Sequence, residues 1–293
     1  MGDVAFQGTT LAAVAFRAIV AGRMKKVILR VARTAALAYL GLMLFLAGCQ
    51  NRLLYFPSRG TEAALLTEAQ ASGLEPWKNA QGAIVGWRKV QPQAKRRIVA
   101  FHGNAGYALH RDYYIEGLSG LDWEVYLFEY PGYGARDGSP GREAFLSTSR
   151  AAVEELLSAD SRPLYLLGES IGSGVACGLA AELKDRVRGL LLVIPFARLV
   201  EVAKWHFPYL PVGLILRDKF DNLAALESYQ GPVVVAIAEK DEVIPAEQGR
   251  KLHDAYRGPK LLITFPGATH NNFPNHPRAD WWKEATAFFA ERP

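Results

Sequence analysis

The 293-residue chain predicts an α/β fold in which helices cover both faces of a mainly parallel central sheet. Continuous apolar runs, which are typical of strands buried on both faces, alternate with segments of helical spacing. A Gly-x-Ser-x-Gly string stands between one of these runs and a helix, near mid-chain. Two later runs each end at a loop that carries acidic or histidine side chains. These observations together predict a catalytic site at one edge of the sheet.

Each element is predicted from its local pattern, strands from uninterrupted apolar runs and helices from apolar residues three or four apart. The predicted strands are 84–90, 97–101, 124–128, 164–168, 189–194, 232–237 and 260–265. The predicted helices are 107–118, 144–157, the small-residue segment that begins at Ile171, 246–256 and 279–291.

The interval 197–230 is too long for one crossover helix and is rich in aromatic and aliphatic residues. We predict a small helical cap there. We expect its apolar side chains to pack the cap onto the core, and the alternative is that they cradle an acyl chain. The predicted organisation is therefore a leader over 1–48, an anchor and linker over 49–80, and a catalytic domain over 81–293 that contains the cap.

The leader has the pattern of a secretory signal peptide. Met24 opens a basic segment, and an apolar core follows from Ala35 to Gly48. That core has about 14 residues, fewer than the roughly 20 that span a bilayer. Residues 1–23 lengthen the leader, and we expect translation to start at Met24. The alternative is an uncleaved signal anchor.

The leader ends in Leu46-Ala47-Gly48-Cys49, which resembles the lipobox of bacterial lipoproteins. The resemblance implies that Cys49 is diacylated and becomes the first residue after cleavage, so that several acyl chains anchor the protein stably. Gln50 stands where an Asp resembles a retention signal for the inner membrane. We therefore expect a lipid-anchored protein of the bacterial envelope, on the periplasmic face of the outer membrane.

Charge excludes one class of partner. Residues 1–48 hold six of the 34 Lys and Arg residues and one of the 29 Asp and Glu residues. The remainder is formally neutral, with 28 of each sign, so we predict no nucleic-acid partner. No spacing of metal ligands or phosphate-binding loop is present, and we expect no metal and no cofactor.

Ser170 lies where an apolar strand ends at Gly168 and a helix begins at Ile171. A sharp strand-to-helix turn of this kind lifts a serine hydroxyl above the sheet edge, where it can act as a nucleophile. Side chains at Gly168 or Gly172 would push strand and helix apart. The rival interpretation of a dinucleotide fingerprint is disfavoured, because Cys177 stands where a third small residue is needed and the next strand does not close with an acid.

A serine nucleophile needs a base and a carboxylate, each on a loop after a later strand. The loop after 232–237 offers Asp241, which we favour over Glu239 and Glu242. The loop after 260–265 offers His270. The other histidines lie on predicted helices, in the cap, before an early loop or among prolines: His102, His110, His206, His253 and His276.

An oxyanion hole needs two backbone N–H donors. The residue after the nucleophile, Ile171, supplies one of them. The loop that follows the strand 97–101 supplies the other, and we assign it to Asn104, with Ala105 as the nearest competitor.

Together these motifs resemble the α/β-hydrolase superfamily over roughly residues 52–291. They are His102-Gly103-Asn104-Ala105-Gly106, Tyr130-Pro131-Gly132-Tyr133-Gly134, Gly168-Glu169-Ser170-Ile171-Gly172, Asp241 with Val243 and Pro245, and Gly267-x-x-His270. More narrowly they are similar to its Bem46-like branch, which includes ABHD17-type depalmitoylases and ABHD13-like proteins. The resemblance implies Ser170 as nucleophile, Asp241 as acid and His270 as base. Ala236-Ile237-Ala238 departs from the glycine that relatives often carry, which affects the local turn.

The function predicted from these residues is hydrolysis of a carboxylic ester or thioester through an acyl-enzyme, by a membrane-tethered enzyme. The substrate is expected to be a small-molecule or lipid-like acyl ester. Two alternatives stay open: a peptidase of the S33 aminopeptidase type, and a membrane-tethered binding protein whose triad is inactive.

Overall fold

The computed structural model describes residues 4–292, with side chains from residue 13 onward. Met1, where the predicted leader begins, lies outside the described residues. The chain divides into two compact units, Met1–Cys49 and Gln50–Pro293. Helix α1 (Val4–Leu54) is the first element.

The N-terminal helix is longer than the predicted apolar core. Ala13–Leu54 is long and apolar enough to cross a membrane, with a mean hydropathy of 1.6 in an 18-residue window, although a signal sequence also meets this criterion. We had expected a core too short to span. Residues 34–51 carry no Asp, Glu, Lys or Arg. At 1.5 Å per residue they extend about 27 Å, close to the roughly 30 Å hydrocarbon core of a bilayer.

The segment expected to be an anchor and linker contains regular structure. It forms β1 (Phe56–Pro57), α2 (Glu62–Ala71) and β2 (Glu75–Lys78). Leu65 and Trp77 are buried, and β2 is the edge strand of the large sheet. The sequence pattern does not predict β2, because its few apolar residues are separated by polar ones. An edge strand needs only a few apolar side chains to pack against the rest of the sheet.

The remaining elements follow the predicted alternation closely. Their bounds are β3 (Ile84–Arg88), β4 (Arg96–Phe101), β5 (Ala105–Gly106), α3 (Tyr113–Leu118), β6 (Trp123–Phe128), α4 (Arg142–Ala159), β7 (Leu164–Glu169), α5 (Gly172–Leu183), β8 (Leu190–Val193), α6 (Leu199–His206), α7 (Val212–Ile215), α8 (Asn222–Leu226), β9 (Val233–Ala238), α9 (Ala246–Ala255), β10 (Lys260–Phe265) and α10 (Trp281–Ala290). The predicted helix 107–118 is divided into a 3₁₀ turn, Ala108–Arg111, and α3.

The large sheet has eight strands in the order β10-β9-β8-β7-β4-β6-β3-β2. All neighbours from β10 to β6 are parallel, and β3 and β2 are antiparallel additions. The carboxyl ends of β7, β8, β9 and β10 therefore lie side by side at one edge of the sheet. A separate parallel pair joins β1 to β5, with Phe56 opposite Ala105.

Alternate residues of each central strand point to opposite faces of the sheet. Leu164 and Leu166 belong to one buried cluster, which includes residues of α4 and α5, whereas Tyr165 and Leu167 belong to a second cluster with residues of α3 and α10. Helices thus cover both faces, as predicted, and burial on both sides explains why the strand sequences are continuously apolar.

The interval 197–230 contains the three short helices α6, α7 and α8. Leu199, Val202 and Val212 pack inward, as expected for a cap. Other apolar residues of this segment do not: Trp205, Phe207 and Leu214 are exposed. The expectation that the apolar cap residues pack onto the core is therefore wrong for these three.

Candidate active site

Ser170 occupies the turn between β7 and α5 in a left-handed conformation, with φ = 53°. Such a backbone costs a non-glycine residue on the order of 1–3 kcal/mol, and surrounding contacts must hold it. The Ser170 N–H donates to the carbonyl of Val193 at 3.0 Å, and its carbonyl accepts from the N–H of Ser173 at 3.0 Å. The Ser173 hydroxyl donates to the same carbonyl at 2.6 Å. The turn is thus held from the neighbouring strand and from α5.

Two glycines allow this turn to form. A Cβ on Gly168 would lie 2.6 Å from the carbonyl oxygen of Gly172, and a Cβ on Gly172 would lie 2.1 Å from the carbonyl oxygen of Phe101. Real Cβ atoms do not approach backbone oxygens this closely. Side chains at either position would separate β7 from α5 or α5 from β4, as the sequence predicted.

Asp241 and His270 are joined by a direct hydrogen bond. The Nδ1 of His270 lies 2.8 Å from Oδ2 of Asp241. The other carboxylate oxygen accepts from the N–H groups of Val243 at 2.8 Å and Ile244 at 2.7 Å. Both oxygens of this nearly inaccessible side chain therefore have donors, which fixes its orientation. An ionised carboxylate only accepts, so the Nδ1 of His270 carries the hydrogen and Nε2 is the free basic nitrogen.

The competing carboxylates bind backbone instead. Glu239 accepts from the N–H of Gly267 at 3.2 Å, and Glu242 accepts from the N–H of His270 at 3.4 Å. Neither is hydrogen-bonded to the imidazole ring. Asp241 is thus the one of the three that contacts the ring of His270 in the structure.

The three predicted residues follow three strands of the same parallel set, Ser170 after β7, Asp241 after β9 and His270 after β10. The structure places them at one edge of the sheet. Among the described residues, the Ser170 hydroxyl makes no hydrogen bond to the His270 ring. Such bonds are often long in unliganded enzymes and tighten with substrate.

Asn104 is held at three points in the loop after β4. Its carbonyl accepts from the N–H of Phe56 at 2.8 Å and from the hydroxyl of Tyr133 at 2.7 Å. Its side-chain amide donates to the carbonyl of Leu54 at 3.0 Å. The competitor, Ala105, is the first residue of β5. The backbone around Asn104 is therefore rigid, and a Cβ on neighbouring Gly103 would lie 3.7 Å from the Cβ of Ser170.

Sequence reasoning missed a buried ion pair beside the nucleophile. Glu169 accepts from Nε of Arg111 at 3.0 Å and from the hydroxyls of Tyr113 at 2.6 Å and Tyr114 at 2.8 Å. Burial by itself would raise the pKa of Glu169, but the Arg111 charge and the two hydroxyls outweigh it and lower that pKa. The signal in the sequence was an acid inside an otherwise apolar strand, which requires a partner when buried.

The other histidines make contacts that explain them without catalysis. His102 is buried, with Nδ1 2.7 Å from the Gly103 carbonyl and Nε2 3.3 Å from Oε1 of Glu129. His110 packs on Tyr107, with ring centroids 3.8 Å apart. His206 contacts the loop that carries Asp241, with Nε2 2.8 Å from the Val243 carbonyl. His253 lies on α9 with its Nδ1 3.0 Å from Oδ1 of Asp254. The carbonyl of His276 accepts from Nε1 of Trp282 at 3.1 Å.

Comparison with known proteins places this geometry in a family. Residues 92–216 match the Hydrolase_4 family, described as serine aminopeptidase, S33. The chain is 31% identical over 250 residues to the uncharacterized protein Rv2307c of Mycobacterium tuberculosis, covering 83% of this chain and 88% of that protein. It is 29% identical over 194 residues to the protein bem46 of Schizosaccharomyces pombe, covering 62% of this chain and 63% of that protein.

The chain belongs to the Bem46/ABHD branch of the α/β-hydrolase superfamily. It is also 31% identical over 206 residues to the lysophosphatidylserine lipase ABHD12 of Danio rerio, covering 64% of this chain and 54% of that protein. The α/β-hydrolase fold is shown as well by the Pyrococcus furiosus esterase Pf2001, with a TM-score of 0.59 at 16% identity over 82% of this chain and 98% of that one.

This α/β-hydrolase is therefore an esterase-like enzyme of the same architecture. Within residues 4–292, no group of three or more His, Cys, Asp or Glu side chains could hold a metal ion. Cys49 and Cys177 are both free. Cys177 is buried in α5, and burial raises the pKa of its thiol, so it acts as a small apolar residue.

Proposed function

We propose that this α/β-hydrolase cleaves carboxylic esters, with Ser170 as nucleophile, His270 as general base and Asp241 as the residue that orients and stabilises the imidazole. The observation that carries the proposal is the 2.8 Å hydrogen bond between His270 and Asp241 at the sheet edge that also carries Ser170. A thioester is an equivalent substrate for the same chemistry.

The proposed reaction has two half-reactions. The Ser170 oxygen attacks the substrate carbonyl carbon while Nε2 of His270 takes its proton, and the N–H groups of Ile171 and Asn104 bind the oxyanion. The tetrahedral intermediate collapses, and the leaving alcohol takes the proton from His270. A water then attacks the acyl-serine ester, His270 takes its proton, and release of the acid restores the Ser170 hydroxyl.

The rigid surroundings of both donors support their assignment. Ile171 directly precedes α5, so its N–H lies at the positive end of a 12-residue helix. Asn104 is fixed by Phe56, Tyr133 and Leu54. Donors that are already positioned need no reorganisation as negative charge develops, and this is what makes them effective in catalysis.

Ser170→Ala tests the nucleophile. We expect kcat for a soluble aryl ester to fall on the order of 10⁴–10⁶-fold, as in other serine hydrolases. We also expect loss of labelling by a fluorophosphonate probe. Ser158→Ala is the matched control, since Ser158 is exposed on helix α4 and its hydroxyl donates to the carbonyl of Glu154. Equal turnover by the two variants would refute the assignment.

The names of relatives support a proposal for the substrate class. The related Danio rerio protein is named as a lysophosphatidylserine lipase, and a protein of the same fold is the Paleococcus ferrophilus monoacylglycerol lipase, with a TM-score of 0.52. We infer that esters with one long acyl chain are substrates. The family description also names a serine aminopeptidase. A panel of aminoacyl amides beside acyl esters separates the two activities, and failure of the probe to label Ser170 would favour an inactive binding protein.

We further propose that the segment before Gln50 tethers the enzyme to a membrane, through lipidated Cys49 in the outer membrane or through a retained apolar helix. The length and apolar character of Ala13–Leu54 support a tether of either kind. The intact mass of the membrane-extracted protein distinguishes them, because cleavage before Cys49 removes 48 residues and adds acyl chains. A chain that is released by high salt and carries no acyl group would contradict both.

A further inference from the structure

A cluster of apolar side chains lies exposed on the cap and on the loop beside it. Trp205, Phe207, Leu214 and Val243 are 56%, 55%, 85% and 37% exposed, and we call them the cap face. The hydrogen bond from His206 to the Val243 carbonyl holds the end of α6 against this loop. Exposed apolar side chains that lie together mark surfaces that contact a partner or a membrane.

The cap face lies close to Gln50, the first residue of the catalytic unit. Gln50, the first residue after Cys49, donates from its side-chain amide to the carbonyl of Ile215 at 3.1 Å. Its side-chain oxygen accepts from the N–H of Arg217 at 2.7 Å. The first bond is to the residue after Leu214 and the second is to a residue three positions after it. Gln50, the first residue of the catalytic unit, is therefore held near Leu214 of the cap face.

The segment that carries most of the cap face also carries unpaired cations. Lys204, Arg217 and Lys219 are exposed and form no ion pair within the described part of the chain. Of the carboxylates in this segment, Asp218 accepts from the hydroxyl of Tyr55 at 2.6 Å, Glu201 pairs with Lys251 at 2.7 Å and Asp221 pairs with Arg198 at 2.9 Å. Glu227 is exposed and forms no ion pair in the described part of the chain. Exposed apolar side chains with unpaired cations in the same segment match the interface of a phospholipid bilayer, where acyl chains lie below phosphate groups.

The cap face is connected to the proposed acid through one residue. The Val243 N–H donates to Oδ1 of Asp241 at 2.8 Å, and the Val243 carbonyl binds His206 at 2.8 Å. A substrate that leaves the bilayer at the cap face therefore emerges at the loop that carries Asp241, the hydrogen-bond partner of His270.

We propose that the cap face sits in the surface of a phospholipid bilayer and that the substrate, an ester with one long acyl chain, enters the site directly from that bilayer. Docking of the cap face rests on the proposed tether, and entry of the substrate from the bilayer rests on the proposed hydrolase activity. The bilayer fits the exposed apolar side chains, the free cations and the position of Gln50, and a second copy of the protein would leave the cations unmatched.

Fluorescence of Trp205 tests the docking without any catalysis. The chain has six tryptophans, none of them before residue 77, and the other five are at most 7% exposed. The full-length protein is reconstituted into vesicles of phosphatidylcholine and phosphatidylglycerol with brominated acyl chains. We expect strong quenching by shallow bromine labels, and loss of that quenching in Trp205→Phe. Equal quenching of the two proteins, or Trp205 shielded from both lipid and aqueous acrylamide by a second copy, would overturn the proposal.

Turnover tests the route of entry. The test variant carries Trp205→Ser, Phe207→Ser and Leu214→Ser. The control is Val90→Ser, which removes an apolar side chain that is 41% exposed on the loop after β3. We expect the ratio of kcat/KM for a vesicle-embedded monoacyl ester to that for a soluble ester to fall about tenfold in the triple variant alone. A ratio equal to that of Val90→Ser would overturn the route.

Two further results distinguish failure of the docking proposal from misfolding of the triple variant and from failure of the proposed hydrolase function. Leu214→Ser alone removes the most exposed of these side chains, so a smaller fall in the same ratio is expected even if the triple variant folds poorly. If the wild type hydrolyses no ester at all, the proposed function fails, while the quenching experiment still decides the docking.

Discussion

Glu169, directly before Ser170, forms a buried ion pair with Arg111, whose Nε lies 3.0 Å from both carboxylate oxygens. Arg111 also donates to the carbonyl of Ala105 at 3.4 Å. A Cβ on Gly103 would lie 3.1 Å from Oε1 of Glu169. The pair thus links the turn of Ser170, the proposed nucleophile, to the loop that carries Asn104, one proposed oxyanion donor.

Breaking this pair should cost both stability and rate. Glu169→Gln leaves Arg111 charged in a site where it is 16% exposed, and removing one partner of a buried pair costs about 3 kcal/mol. We expect that loss in the free energy of unfolding measured with urea, and a lower kcat at nearly unchanged KM. The control is Glu182→Gln, whose partner Arg150 is 49% exposed. Exposed pairs contribute at most about 1 kcal/mol, so equal losses would contradict the role of Glu169.

The same pair predicts a pH dependence of stability. The folded-state pKa of Glu169 is lowered, because Arg111 and the two hydroxyls outweigh the effect of burial. The native state then binds this proton less readily than the unfolded state, whose pKa is about 4.3. The stabilisation is complete above that pH and is lost as the pH falls through the lowered pKa. We expect the unfolding free energy of wild type to fall more steeply below about pH 4.3 than that of Glu169→Gln. Parallel plots of unfolding free energy against pH for the two proteins would count against a stabilising role of ionised Glu169.

Asp241→Asn should abolish most activity without unfolding the protein. The amide cannot accept from His270 while keeping both bonds to Val243 and Ile244 in the present orientation. We expect kcat to fall about 10⁴-fold because the imidazole takes the wrong tautomer. Glu239→Gln and Glu242→Gln serve as controls, since neither side chain touches the ring. If either control loses as much activity, the acid has been assigned to the wrong residue.

Tyr133→Phe should distinguish the positioning of the Asn104 loop from a general effect on protein stability. Its hydroxyl donates to the carbonyl of Asn104 at 2.7 Å, and loss of one such bond costs about 1 kcal/mol. Tyr229→Phe removes a comparable bond to the carbonyl of Val187, away from the site. We expect similar shifts in unfolding free energy, but a several-fold lower kcat only for Tyr133→Phe. Equal kcat values would show that the Asn104 loop does not depend on this bond.

Gly172→Ala should prevent the turn of Ser170 from forming. The added Cβ would lie 2.1 Å from the carbonyl oxygen of Phe101, whereas at Gly141 its nearest neighbour, Oδ2 of Asp218, is 3.8 Å away. We expect Gly172→Ala to lose at least about 3 kcal/mol of stability, in line with overpacking of a rigid site, and Gly141→Ala to remain close to wild type. The measurement is urea unfolding of both variants, and a folded, active Gly172→Ala enzyme would contradict the geometry of the turn.

The sequence determined the central strands of the sheet, the Ser170 turn and the candidates for the proposed triad. Strands buried on both faces must be apolar throughout, so the structure places β4 and β9 within one residue of the predicted bounds. A strand-to-helix turn as tight as that at Ser170 demands glycine on both sides. Both requirements concern residues that are close together in the chain, so the sequence pattern is enough to predict them.

Only the tertiary structure decided which distant side chains meet. The burial of Glu169 against Arg111 and the choice of Asp241 over two nearby carboxylates depend on contacts between residues 58 and 29 positions apart. The edge strand at Trp77 and the exposure of Trp205 depend on what the rest of the chain covers. The sequence shows that a residue is apolar or charged. Its burial and its partner depend on the packing of elements that are remote in sequence.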